Sequence, residues 1–441
     1  MGFFAFYFYT LVLLVRPQDW WSPLHNLPVV SLALLIATIS VLFNREKTLQ
    51  YPQFFLIFLL VVHVVLSSVA NGWFGGGVAK IEPLTTSMLL PVLCAAMLID
   101  NPGKREKIFK LMIYAALFMV FNGVTQRMSD DGFGFVGSKV TKYDNRITYI
   151  GILDDPNDLG MYFVMILPII VYFVASFGGF KRYVYFVYGI IVLYGVYLTN
   201  SRGTLLGVIA LLGVWHLFHE GIYKTAWRAA LALPVLLVVM SKFRAISAEE
   251  DSAAGRLDAW YEGMQMFLAN PVFGVGQGGF LDHHGITAHN SFVLVFAELG
   301  FPGYFIWLAI LFLTIFPLWK LFSLKNQNPD VVVNAQSHEA GVTSTNEDSQ
   351  ALTLDSAGLA VLHGKVLFYS MMGYLATAFF LSRSYTPLLY LFIGICISCL
   401  EELRRKKYIT SIEPFKKSMG LIAGMAIGSI FAVWLVTKLF I

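Results

Sequence analysis

His289-Asn290 and the run behind it, SFVLVFAELGFPGYFIWLAILFLTIFPLWK over residues 291–320, decide the fold. About 20 helical residues cross a hydrocarbon core of roughly 30 Å, so this run is more than long enough to span a bilayer. A titratable imidazole at the mouth of such a helix is hard to explain as packing. Outward from it the chain keeps the same character: 57% of residues are hydrophobic and only 13% charged, with a mean hydropathy of +0.68. Soluble domains carry about one quarter charged residues. Apolar runs recur near 3–15, 28–43, 52–70, 81–99, 108–124, 159–178, 183–199, 203–218, 226–241, 291–320, 362–382, 386–400 and 418–440. They predict an all-α, polytopic membrane protein, a single integral membrane domain over 1–441 with about 12–13 transmembrane helices, the first of them short.

The amino-terminal stretch has neither a basic leader nor a small-residue cleavage site, and Arg16-Pro17 closes its apolar run early. It reads as an anchored or partly re-entrant first helix rather than a removed signal peptide. Cys94, Cys396 and Cys399 all fall inside apolar runs, where neither disulfides nor zinc sites are expected, and read as packing residues. No cofactor is implied.

Lys and Arg are retained in cytoplasmic loops. Alternate loops hold Arg45/Lys47, Lys104/Arg105/Lys107, Lys181/Arg182, Lys224/Arg228, Lys320/Lys325 and Arg404 to Lys407 with Lys416/Lys417, and these are assigned to the cytoplasm. The net charge of +4 is then a topology signal, and no soluble basic face suggests a nucleic-acid partner. Residues 323–360, too polar to bury a core, read as a disordered cytoplasmic loop. The opposite set of loops is external, and two are long: 125–158 and 241–290.

Loop 125–158 mixes Arg127, Lys139, Lys142 and Arg146 with Asp130, Asp131 and Asp144, and ends in Asp154-Asp155-Pro156-Asn157-Asp158. It reads as a folded lid. Asp and Asn before a helix accept hydrogen bonds from its first N–H groups, so capping is the primary reading for Asp155 and Asp158, with a catalytic role as the alternative. In 241–290 the stretch from Gly255-Arg256 to Phe267 has helical spacing of apolar residues, predicting an amphipathic helix along the bilayer surface that stops at Asn270-Pro271. The glycines Gly274, Gly276, Gly278 and Gly279 follow no strand, so a plain turn fits better than a nucleotide loop. Asp282, His283, His284 and His289 lack metal-ligand spacing; no metal is expected, and His283 and His284 read as loop residues.

Arg202 stands at the outer end of an apolar run, after Asn200-Ser201 and before Gly203-Thr204, while Arg383 occupies the break Ser382-Arg383-Ser384. Outward arginines oppose the positive-inside bias. Each has two readings: a snorkelling contact with lipid headgroups, or bidentate binding of a phosphate, which the planar guanidinium suits.

The elements Asn200-Ser201-Arg202-Gly203, Gly255-Arg256, Pro271-Val-Phe-Gly274-Val-Gly276 and His289-Asn290-x9-Gly300-x-x-Gly303 resemble, in order and spacing, those of the O-antigen ligase and polymerase superfamily. The resemblance is carried by about 200–303, with a many-helix layout that fits the rest of the chain. Asp155-Pro156-Asn157-Asp158 also has a familial look. What the resemblance implies is a GT-C-type glycosyltransferase of the bacterial inner membrane, its active site facing the periplasm, whose donor is an undecaprenyl-diphosphate-linked glycan. The residues matching Arg202 and Arg256 would engage the diphosphate, and His289 would lie at the reaction centre. Paired guanidiniums stabilise a diphosphate leaving group. An imidazole with an ordinary pKa near 6.5 is suited to removing the proton of an acceptor hydroxyl. Asn290 would orient the imidazole or cap the helix, capping being the primary reading.

Three outcomes share these motifs: ligation to lipid A–core, polymerisation of repeat units, and transfer to protein. Ligation is the first expectation and polymerisation the alternative. From a different class, a lipid-linked oligosaccharide flippase or other transporter would place ionisable groups near mid-span. Here His63 is the notable candidate, and it reads as a hydrogen-bonded packing residue.

Overall fold

The computed structural model describes residues 2–25, 27–44, 48–140, 145–232, 254–323, 356–409 and 412–440. Among them the chain is helical, apart from loops and one isolated bridge between Phe133 and Lys139. Helix starts follow from local chemistry. Asn101 accepts from Lys104 N at 2.9 Å, Asp155 from Asn157 N at 2.7 Å, Ser201 from Thr204 N at 3.1 Å, and Asn290 from Phe292 N and Val293 N at 2.9 and 3.2 Å. Each side-chain oxygen satisfies an N–H that the first helical turn leaves unpaired. Proline stands at the first helical position of Pro102–Met128, Pro156–Ser176 and Pro387–Arg405, where its missing N–H costs nothing.

We number the principal helices α1 Gly2–Val15, α2 Val29–Leu42, α3 Pro52–Ala70, α4 Phe74–Leu98, α5 Pro102–Met128, α6 Pro156–Ser176, α7 Gly179–Leu198, α8 Arg202–Glu220, α9 Ala254–Ala269, α10 Gly279–His284, α11 Ser291–Lys320, α12 Ser356–Ala378, α13 Pro387–Arg405 and α14 Phe415–Phe440. Eight of them, α3, α4, α5, α6, α8, α11, α12 and α14, are long and apolar enough to cross a membrane. The protein is thus all-α and polytopic, with fewer such helices among the described residues than the expected 12–13. The difference has physical causes. Helices α1 and α2 are apolar but short. Helix α7 carries Lys181, Arg182 and a series of tyrosines, and α13 ends in Glu401, Glu402, Arg404 and Arg405. The expected span 226–241 lies mostly outside the described residues.

Over Leu159–Ile166 and Leu388–Ile397 helices α6 and α13 are buried on all sides, and they form the centre of the bundle. Helices α8 and α14 lie at its edge, largely exposed. The expected cytoplasmic loop 323–360 falls outside the described residues except for its two ends, the later of which already belongs to α12. The expected cysteine packing holds: all three are buried and free, and Cys399 Sγ donates to Ala360 O at 3.2 Å.

Helix α11 is not continuous. Gly300 has φ 64° and ψ −170°, a conformation open essentially to glycine alone. Two residues on, Pro302 has no N–H to give and its ring would clash with the carbonyl of residue 298. The break frees the carbonyls before it, and other elements take them. Val275 N donates to Ala297 O at 3.0 Å and Gly276 N to Glu298 O at 2.9 Å. Ser67 Oγ reaches Glu298 O at 3.3 Å, and His63 Nε2 bonds Leu299 O at 2.7 Å. His63 also stacks on Phe273, as expected of a hydrogen-bonded packing residue.

Candidate functional site

Two polar ends cap the apolar bundle. At one, Arg105 pairs with Glu402 at 2.9 Å and Lys406 with the same carboxylate at 2.6 Å. At the other lie the sequence-predicted residues.

That second end is organised around Asn157, to which the sequence, beyond its place in the Asp155-Pro156-Asn157-Asp158 element, gives no role of its own. Its Oδ1 accepts from Arg146 Nη2 at 2.7 Å and from Ser201 Oγ at 2.7 Å, and its Nδ2 donates to Asp155 Oδ1 at 2.8 Å. Arg146, itself buried, also donates through Nε to Thr199 O at 2.9 Å. Segment 145–149, the end of α7 and the start of α8 therefore meet at one amide. The two acidic residues divide the expected roles. Asp155 caps α6, whereas Asp158 does not cap: it is fully buried and grips Arg383, with Arg383 Nε donating to Oδ1 at 2.6 Å and Nη2 lying 2.5 Å from Oδ2. Burial alone would lower the affinity of the Arg383 guanidinium for its proton; the hydrogen bond and charge of Asp158 outweigh it and hold the pKa above its ordinary value.

Arg383 sits in a turn whose backbone is bound on every side. Its N donates to Ser291 Oγ at 2.9 Å, and Ser291 Oγ donates on to Leu381 O at 2.5 Å. Tyr374 OH donates to Arg383 O at 3.1 Å. Ser384 Oγ donates to Ser291 O at 3.0 Å, and Trp307 Nε1 and Tyr390 OH donate to Ser384 O at 3.3 and 3.2 Å. The turn is thereby fixed to the first residue of α11, two positions after His289.

Arg202 opens α8 and is half-buried; Gly203 after it approaches Phe380 so closely that an added Cβ would lie 2.9 Å from Phe380 Cβ. Arg256 lies in the first turn of α9, also half-buried. Helix α9 exists as predicted and docks on α11, with Phe267 edge-on to Phe296 and Gly263 against Val293. Trp260 of α9 donates through Nε1 to Ala288 O at 3.1 Å and meets Phe379 edge-to-face at 5.3 Å. Phe379-Phe380 thus lies between the helices that carry Arg202 and Arg256, and Trp260 ties the second of them to the residue before His289. His289 is half-buried with φ 48°. Asn145 and Asn200, beside Arg146 and Ser201, share that left-handed conformation. Such backbone costs about 1–3 kcal/mol each and clusters at functional sites.

The glycine segment is a turn, as predicted, and the structure adds what it does. Gly274 packs on α11 where an added Cβ would meet Glu298 C at 2.3 Å, and Glu298 Oε1 accepts from Gly278 N at 2.8 Å. His283 and His284 are corrected from loop to helix: they end α10. His283 Nδ1 bonds Gly279 O at 2.7 Å, and His284 Nε2 lies 3.7 Å from Asp258 Oδ2. Residues 241–253 of this region, and 141–144 of the expected lid, lie outside the described residues.

Residues 184–308 match the O-antigen ligase family. The match spans less than half of the chain and marks that stretch as an O-antigen ligase-like domain. The superfamily resemblance carried by the motifs rests on this match as well, and with it goes a glycosyltransferase-like membrane enzyme. Arg202, Arg256, His289 and Asn290 lie inside the ligase domain; Arg146, Asp155, Asn157, Asp158 and Arg383 lie outside it and reach it through the contacts above. No curated protein matches the chain.

Proposed function

We propose that the ligase domain transfers a glycan from an undecaprenyl-diphosphate-linked donor to an acceptor hydroxyl, on lipid A–core or another glycan, at the periplasmic face of the inner membrane. The observation that carries this reading is the O-antigen ligase match over 184–308, which contains both arginines and the histidine. The hydrogen bond from Trp260 to Ala288 O supports it by coupling the Arg256 helix to His289. The basic residues of loops such as Lys104/Lys107, Lys181/Arg182 and Arg404 to Lys407 support the sidedness, because Lys and Arg are retained in cytoplasmic loops.

In this mechanism Arg202 and Arg256 hold the diphosphate. The acceptor oxygen attacks the anomeric carbon from the face opposite the leaving group, and His289 takes the hydroxyl proton. The bond from the anomeric carbon to the diphosphate oxygen breaks as the new glycosidic bond forms, so the configuration inverts and undecaprenyl diphosphate departs. Positive charge fixed beside the leaving oxygens stabilises the charge that develops there. No step calls for a metal ion.

Reconstitution with a lipid-linked glycan and a lipid A–core acceptor tests the reading. His289→Ala should abolish transfer while leaving the protein folded and the donor bound, and near-normal turnover would remove the base. Arg256→Lys should raise the donor KM despite keeping the charge, because the planar fork is lost.

A further inference from the structure

We propose that Arg383 is a third phosphate-binding guanidinium of this site, held in its working orientation by Asp158; the proposal rests on the transferase reading above. A guanidinium has five N–H donors. Asp158 accepts from Nε at 2.6 Å and lies 2.5 Å from Nη2, so its carboxylate engages one part of the guanidinium. The side chain is 41% exposed while that of Asp158 is 1% exposed. The guanidinium is therefore anchored while the side chain keeps part of its surface open to solvent.

Stability does not account for the arrangement. Burying a carboxylate costs about as much as its ion pair returns, so such a pair is weak evidence of a stabilising role. An arginine that merely snorkels needs neither a buried carboxylate nor a turn whose carbonyls and N–H are bound by Ser291, Tyr374, Trp307 and Tyr390. Fixed side chains braced by a second layer are what oriented binding requires. Asp154 and Asp155 add negative field at Arg383, so an oxyanion there needs further cations. Ser201, which precedes Arg202, bonds Asn157 beside Asp158, and Arg202, at the same end of the bundle, is taken as the second cation. The ligand chemistry is a phosphate oxyanion, from the donor diphosphate or from a phosphate on the acceptor, and Asp158 is a positioning residue.

The test uses the full chain in nanodiscs, with KM measured separately for lipid-linked donor and phosphorylated acceptor. Arg383→Gln should raise one of these by about tenfold with kcat little changed, as expected for loss of a charge-assisted pair. A shift in donor KM assigns the diphosphate, and a shift in acceptor KM assigns the acceptor phosphate. Arg383→Lys should fall between, and Asp158→Asn should move the same KM without adding to Arg383→Gln in the double variant. Unchanged KM values for both substrates, or a loss confined to kcat, would overturn the proposal. Thermal stabilisation by inorganic pyrophosphate is read in parallel. Should the wild type show no transfer, the transferase reading fails and this arm alone decides on Arg383: equal stabilisation of wild type and Arg383→Gln sinks it.

Discussion

Asn290 does more than stand beside the candidate base. Its Oδ1 satisfies two N–H groups of α11, so the backbone that holds His289 at φ 48° is fixed from its C-terminal side. Asn290→Ala should cost about 1 kcal/mol of stability, the usual loss of a cap, and Asn290→Ser should recover most of it. Thermal unfolding of the purified protein reads the difference, and equal melting of wild type and Asn290→Ala would exclude the cap. At this scale the sequence was informative where a residue's chemistry sits at a helix end: Asp155 and Asn290 cap helices whose starts their neighbours announce. It was uninformative for Asp158, which shares the acidic cluster with Asp155 but turns inward to Arg383, 225 residues away. Nothing in the local pattern distinguishes an aspartate that caps from one that pairs across the fold.

Among the elements, α11 matters most because its break converts a spanning helix into a docking edge. An added Cβ at Gly300 would lie 2.6 Å from both Val272 C and O, main-chain atoms that cannot swing aside. Gly300→Ala should therefore cost about 3 kcal/mol or more, combining the conformational penalty with that clash. The variant should lose thermal stability and release the 271–276 segment, seen as faster proteolysis there; wild-type resistance would show that the break is not required. The spacing of Gly300 and Gly303 after His289 is plain in the sequence. That the break exists to offer carbonyls to Val275, Gly276, Ser67 and His63 is not, since the partners come from two separate stretches of chain. Helix α9 was legible from its apolar spacing, yet the face it buries against Val293 and Phe296 depends on where α11 lies.

Across the whole molecule the apolar runs predict nearly every helix, because a span must satisfy its own backbone and so declares itself locally. What they leave out is the polar chemistry between spans. Arg105, fully buried, joins α5 to α13 through Glu402 at 2.9 Å and to α12 through His363 Nδ1 at 3.2 Å, at the end away from His289. Removing one partner of a buried pair commonly costs about 3–5 kcal/mol; because Lys406 also holds Glu402, Arg105→Met should fall near the lower figure. Adding Glu402→Gln should restore part of the loss. Melting curves of the single and double variants decide this, and additive losses would mean that the two side chains do not act as a pair.

The contact between 271–276 and α11 is made by Gly276 N, Val275 N and Pro271 O with Glu298 O, Ala297 O and Phe301 N. Main-chain groups recognise one another regardless of the side chains beside them. Sequence drift can therefore replace Val272, which is largely exposed, with other residues and leave this joint intact, provided Gly274 and Gly300 remain without side chains. Distant descendants of this chain would then share the joint while sharing little of the wording around it.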